Sequence, residues 1–263
     1  MTESGKHFLV IMNVSGIYEN WQNPPENAVW ISCRDITGTN CYCDDSAAET
    51  LRSRISSESV AGIHCIDSGN YHYLTKFWME KYKADFQLLM LDNHTDLQPP
   101  AFGGILSCGG WLFDSMEEME NLKKVLLIGP GEEDYAPVQE NLKERIRFFS
   151  KEYLRSSREE LLDPAERSSW IREVLQELDP KLPLYISIDK DVLCTEDART
   201  TWSQGDMRLT ELMALLEEIL IWKRENEEII LGIDLCGSCD MENAEDNGLN
   251  ERADLAIIQL MQR

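Results

Sequence analysis

Eight short apolar runs punctuate the chain, at residues 7–14, 28–32, 60–66, 88–91, 125–128, 146–149, 184–188 and 229–235, and none alternates apolar with polar positions. A strand facing water on one side alternates with period two, whereas a strand covered on both faces is apolar throughout. Between the runs lie stretches with helical character. Ser46-Ala47-Ala48-Glu49 has the spacing of a capping box and predicts a helix to about Ser57. Leu74, Phe77, Trp78 and Tyr82 fall on related faces of a second, and residues 159–178 are charged and leucine-spaced like a surface helix. Residues 210–222 carry a stripe of Leu212, Leu215, Leu216, Ile219 and Leu220, and a closing helix starts at Asn250 with Leu255, Ile258 and Leu260. Buried strands alternating with helices predict a mostly parallel central sheet in a three-layer α/β/α sandwich. With no linker-like composition, residues 1–263 are expected to form a single domain.

Two of these runs stop abruptly in potential metal ligands. Residues 88–91 lead into Asp92-Asn93-His94-Thr95-Asp96, where spacing by two points alternate side chains the same way in an extended chain. Residues 184–188 lead into Asp189-Lys190-Asp191. A third run ends in Asp67-Ser68-Gly69-Asn70-Tyr71-His72-Tyr73, which places His72, one of four histidines, near another strand's carboxyl end. On the residues alone, a hydrogen-bonded structural role for His72 is as good a reading as ligation. Side by side in a parallel sheet, the two acidic ends gather four carboxylates and an imidazole. Such crowding is costly unless positive charge sits among them, and a pair of divalent cations supplies it. Ligands of open α/β sheets collect outside the carboxyl ends of the strands, which favours this reading over two solvated turns.

Acidic residues outnumber basic ones 48 to 25, for a net charge of −23, which excludes nucleic acid and anionic membrane as partners. No apolar run approaches the roughly 18 residues of a membrane span, and Met1-Thr2-Glu3-Ser4-Gly5-Lys6 has no signal-peptide pattern. Eight irregularly spaced cysteines read as reduced thiols, so the expected location is the cytoplasm. Cys236-Gly237-Ser238-Cys239 reads as a zinc half-site, a redox pair or chance, and no second pair has zinc spacing.

Gly69-Asn70-Tyr71-His72, Asp92-Asn93-His94-Thr95-Asp96 and Ser187-Ile188-Asp189-Lys190-Asp191, in this order, give the chain its resemblance to the ureohydrolase superfamily, the arginase and agmatinase group related to histone deacetylases. That family's marks are a glycine-rich turn ending in His, then Asp-Ala-His-x-Asp, then Ser-x-Asp-x-Asp. The resemblance spans roughly residues 69–235, and all six ligand positions carry the matching residue type. It implies an arginase/deacetylase-like fold and two manganese ions, one held by His72, Asp92, Asp96 and Asp189 and the other by Asp92, His94, Asp189 and Asp191, with Asp92 and Asp189 bridging. It further implies that a hydroxide bridging the ions attacks a C–N bond of a small guanidino or amide substrate, with Asp96 orienting the hydroxide and accepting its proton. Gln98 and Ser107 resemble positions that hold the substrate's polar end. Homo-oligomers are common in the family.

The chain departs from the family pattern in three places. Leu193-Cys194-Thr195 replaces Leu-Asp-Pro after the second acidic pair, and the loop Leu106-Ser107-Cys108-Gly109-Gly110-Trp111-Leu112 lacks the histidine often used as a proton shuttle. The guanidinium-binding Glu falls at about Gly237, with Glu242 and Glu245 nearby as substitutes. These departures touch substrate recognition rather than the ligands. A mononuclear deacetylase-like amidohydrolase, which would not need His72 or Asp96, and a non-catalytic binding protein retaining the site are the alternatives.

Overall fold

The computed structural model describes residues 9–100, 103–159, 169–239 and 244–262. Its strands are β1 (Leu9–Asn13), β2 (Val29–Ser32), β3 (Tyr42–Cys43), β4 (Ile63–Cys65), β5 (Phe86–Leu91), β6 (Leu106–Ser107), β7 (Leu122–Ile128), β8 (Ile146–Phe149), β9 (Leu184–Asp189) and β10 (Ile230–Cys236). Its helices are α1 (Asp45–Arg54), α2 (Leu74–Met79), α3 (Trp111–Glu118), α4 (Glu132–Tyr135), α5 (Glu140–Lys143), α6 (Lys151–Glu159), α7 (Ser169–Glu177), α8 (Leu209–Glu225) and α9 (Ala244–Met261). Eight strands form one sheet in the order β2-β1-β4-β10-β9-β5-β7-β8, every neighbour parallel, and β3 pairs antiparallel with β6 in a separate ribbon.

The central strands β1, β4, β5 and β9 are buried at every position because both faces are covered. Leu88 and Met90 of β5 pack into one core, with Leu51 of α1, Trp78 of α2 and Trp111 of α3. Leu89 and Leu91 of the same strand pack into the other, with Leu154 of α6, Val174 of α7, Leu215 of α8 and Ile257 of α9. Helices α1 to α5 thus lie on one face and α6 to α9 on the other, giving the three-layer α/β/α architecture. No helix among the described residues is long and apolar enough to cross a membrane.

Several boundaries differ from the sequence reading. The cap of α1 is Asp44, whose carboxylate accepts from the Ala47 amide at 2.8 Å, and not Ser46. A carboxylate there satisfies a first-turn amide and also meets the positive end of the helix. The helix closes at Arg54 rather than near Ser57, and α2 stops at Met79, leaving Tyr82 in the following turn. The closing helix begins six residues before Asn250. Residues 160–168, within the charged segment 159–178, lie outside the described residues.

The chain reverses sheet direction between β4 and β5. It runs outward to one edge through β1 and β2, leaps to the other half for β5, β7 and β8, and returns to fill the middle with β9 and β10. The carboxyl ends of β4, β10, β9 and β5 therefore lie next to one another at the place where strand order reverses, where open α/β sheets form crevices.

Candidate metal centre

Each of the six ligand-type residues follows a strand in this central group. His72 caps the 3₁₀ turn Gly69–Tyr71 after β4, Asp92 comes directly after β5, Asp189 ends β9, and Asp191 sits in the 3₁₀ turn Lys190–Val192. Asp92, His94 and Asp96 do converge, though not through extended-chain alternation. β5 has already ended at Leu91, the His94 amide folds back onto Asp92 Oδ1 at 2.6 Å, and Asp96 takes the left-handed conformation with φ of 50°. A short Asp side chain tolerates that region better than most residues.

His72 Nδ1 lies 3.1 Å from Asp92 Oδ2, 3.0 Å from Asp96 Oδ2 and 3.7 Å from Asp189 Oδ2. His94 Nδ1 lies 2.8 Å from Asp191 Oδ2 and 3.4 Å from Asp92 Oδ1. Two sets of donor atoms emerge, His72/Asp92/Asp96 and Asp92/His94/Asp191, each within 4.8 Å of one another, and Asp92 belongs to both. Asp189 groups instead with His72 and Cys236. Its Oδ1 accepts from the Asp191 amide at 2.9 Å, so one of its oxygens is engaged in shaping the turn.

The second nitrogen of each imidazole is held by a serine. His72 Nε2 pairs with Ser187 Oγ at 2.8 Å and His94 Nε2 with Ser203 Oγ at 2.8 Å. With an ion bound, a proton on each Nε2, directed at the hydroxyl, would leave the Nδ1 lone pair for the ion, the form in which imidazole binds a metal. Trp111 Nε1 donates to Asp96 Oδ2 at 2.6 Å, and the Asn93 amide donates to Asp191 Oδ1 at 2.9 Å.

Electrostatically the cluster calls for cations. Burial, reinforced by repulsion from Asp191, pushes the Asp189 carboxyl up to about 6, and burial together with Asp92 pushes Asp191 up to about 7. Burial and neighbouring carboxylates also raise Asp92. Burial draws the His94 imidazole down, but its hydrogen bonds to Asp191 and Asp92 prevail and carry it up to about 11. Without metal the cluster is thus compensated by protons. Four carboxylates and two imidazoles converging in this way fit a pair of hard-to-borderline divalent ions.

Lys190, between the two acidic residues of the turn, points away from them. Its Nζ is fully buried and donates to both Asp254 oxygens at 2.6 Å and to Ser238 Oγ at 2.7 Å, tying the turn to α9. Asp254→Ala would leave a buried ammonium without its counter-charge. The expected cost is about 3–5 kcal/mol, a fall of about 10 °C in Tm for a chain of this size. Lys190→Met with Asp254→Leu is expected to recover most of it, and thermal unfolding of the two variants checks this.

The cluster floors a cavity of about 270 Å³. Gln98 and Ser107, singled out from sequence, both line it, while Glu242 falls outside the described residues, as does the side chain of Glu245. Sequence reasoning missed Trp202, which also lines the cavity. Its ring stands edge-on to His94 at 5.8 Å and its Nε1 donates to Asn70 Oδ1 at 2.9 Å. Trp202 and Ser203 come from a loop with no motif of its own. Cys236 belongs to the Cys236-Cys239 pair, whose sequence reading is a zinc half-site, a redox pair or chance. Its thiol, fully buried, donates to the Ser68 carbonyl at 3.2 Å beside His72 and Asp189. Gly237 shows why no glutamate stands there. Its φ is 82°, and a Cβ would lie 2.2 Å from Asp189 Oδ1, so any larger residue displaces that carboxylate.

The model of the Arginase family matches residues 42–237, three-quarters of the chain. The chain belongs to the arginase family. A Thermotoga maritima protein, described as uncharacterized, is 27% identical over 251 residues, covering 95% of this chain and 88% of that protein. Among solved structures, proclavaminate amidino hydrolase from Streptomyces clavuligerus superposes with a TM-score of 0.69 at 16% identity, over 98% of this chain and 92% of that one. Formiminoglutamase from Trypanosoma cruzi, solved with Mn2+, gives 0.63 at 10% identity, over 96% and 93%. At these identities the structural likeness speaks for the fold. This arginase-family chain is divergent, and its departures, at residues 106–112, 193–195 and 237, fall outside the six ligand-type positions.

Proposed function

We propose that this chain is a binuclear metal-dependent hydrolase of a C–N bond in a small guanidino or amide compound. The observation that carries the reading is Asp92, whose two oxygens face two separate imidazole-carboxylate groups, as a bridging ligand must. Manganese is the proposed ion, supported by a donor set of carboxylate oxygens with two imidazoles and by the Mn2+ in the T. cruzi formiminoglutamase. When bound, such a pair supplies Lewis acidity and lowers the pKa of water toward neutrality.

The remaining chemistry belongs to the chain's own residues. His72, Asp92, Asp96, His94, Asp189 and Asp191 hold the ions. Asp96, fixed by the Trp111 indole, orients the attacking water and accepts its proton. Water adds to the amidine or amide carbon, the C–N bond breaks, and the departing amine leaves with a proton. Gln98 and Ser107 are placed on the cavity wall to meet the substrate's polar end.

Support for two ions over a single-ion deacetylase-like site comes from the buried His72 and Asp96, whose donor atoms group with Asp92 in a set separate from Asp92/His94/Asp191. All eight cysteines lack disulfides, consistent with a cytoplasmic location. The test is release of urea, ammonia or amine across a panel of guanidino compounds, formimidoyl compounds and acylated amines with Mn2+ supplied. Turnover of at least one is expected, together with about two ions per chain by elemental analysis. Silence across the panel, or full activity in stringently metal-free protein, overturns the reading.

A further inference from the structure

Cys41 and Cys108 face each other across the β3–β6 ribbon. The register is Tyr42↔Ser107 and Cys43↔Leu106; one step beyond it, where Cys41 turns out of the strand with φ of 60°, the Cys108 amide donates to the Cys41 carbonyl at 2.8 Å. A backbone hydrogen bond of that length holds the two Cα atoms within roughly 6.7 Å of each other, inside the range of roughly 4.4–6.8 Å that a disulfide spans. Burial, with the neighbouring Cys41 thiol, pushes the Cys108 thiol up.

Their position is as telling as their spacing. Both line the cavity above the acidic cluster, and of the eight cysteines only Cys41 is not buried. An oxidant entering the cavity therefore meets Cys41 first, with Cys108 as the adjacent thiol. The wall they belong to is also connected to the centre. The Gln98 amide donates to the Gly109 carbonyl at 3.0 Å, and the Leu112 and Phe113 amides donate to the carbonyl of Asp96 at 3.1 and 3.2 Å.

We propose that Cys41 and Cys108 form a reversible oxidation site for peroxides, whose disulfide staples the ribbon at the cavity wall and slows turnover. The Cys41 sulfur attacks one peroxide oxygen, the O–O bond breaks, and the other oxygen leaves as water or alcohol, giving a sulfenic acid. The Cys108 sulfur then attacks the Cys41 sulfur, the S–O bond breaks, and that hydroxyl departs as water with the Cys108 proton. Two thiols are oxidised by two electrons and one peroxide is reduced. A dithiol reverses the change by exchange. The thiol chemistry stands independently of the hydrolase reading, and only its effect on turnover rests on it.

The experiment treats the full-length, Mn2+-loaded chain with hydrogen peroxide and follows thiol titration, peptide mapping and turnover. Two thiols are expected to disappear, a cross-linked peptide pair containing Cys41 and Cys108 to form, and turnover to fall at least about fivefold, all reversed by dithiothreitol. Cys41→Ser and Cys108→Ser, each compared with its own untreated activity, are expected to lose the peroxide sensitivity. Dominant linkage of any other pair, thiols unconsumed, or undiminished sensitivity in both variants would overturn the site. A 41–108 disulfide with unchanged turnover overturns the control of activity. If no substrate is turned over, peptide mapping alone decides the site, and the rate of Mn2+ extraction by EDTA replaces turnover, with at least about threefold slowing expected on oxidation and an unchanged rate counting against control of the cavity.

Discussion

Asp92→Ala is expected to lose both ions and at least about a thousandfold of turnover, equivalent to about 4 kcal/mol of barrier, while keeping its fold. The prediction follows from the two oxygens of Asp92 facing different imidazoles, Oδ2 toward His72 at 3.1 Å and Oδ1 toward His94 at 3.4 Å. Among the described residues, no other belongs to both the His72/Asp96 and the His94/Asp191 donor sets. Asp191→Ala removes a donor from one set and is expected to leave about one ion per chain. The fold should survive in both variants because deleting one acid from a cluster of four relieves repulsion in the metal-free protein. Elemental analysis, far-ultraviolet circular dichroism and turnover on the same preparations check all three statements. An Asp92→Ala protein that still carried two ions and worked would remove the bridging assignment.

How much of this was legible in the sequence depended on how local the cause was. The strands were visible because a sheet covered on both faces needs apolar residues at consecutive positions, as Leu88, Leu89, Met90 and Leu91 show by dividing between the two cores. The two acidic clusters were visible because each closes such a run. Spacing by two suggested an extended path through Asp92, His94 and Asp96, whereas the convergence comes from a fold-back at His94 and a positive φ at Asp96, which spacing does not encode. The tertiary partners were hidden. Ser203 and Trp202 meet His94 from more than a hundred residues away, and Lys190 finds its counter-charge on α9. Cys41 and Cys108 could be paired only once β3 and β6 had been placed side by side. Gly237 looked like a missing glutamate and is better described as a glycine that Asp189 requires.

Removing the metal is expected to make stability depend on pH in a sense opposite to ordinary acid denaturation. An acid whose pKa in the folded chain lies above its unfolded value near 3.9 binds its proton more tightly when folded. Its stabilisation is complete below the unfolded pKa and is lost as pH rises through the folded one. With Asp189 at about 6 and Asp191 at about 7, the metal-free protein should lose stability across pH ~4 to ~7. His94, raised to about 11, contributes a stabilising proton that is undiminished until its unfolded pKa near 6.5 and is lost steadily from there to about 11, so above pH ~6.5 it adds to the loss. Divalent ions take the place of those protons, so their stabilising effect should grow over the same window. At ~1,000-fold excess over Kd the gain is about 4 kcal/mol, or about 10 °C in Tm. Thermal unfolding with Mn2+ and with EDTA, at pH 5 and pH 8, measures both slopes. A Mn2+-induced shift of equal size at the two pH values, or none at either, would mean that the buried carboxylates are not where the ions bind.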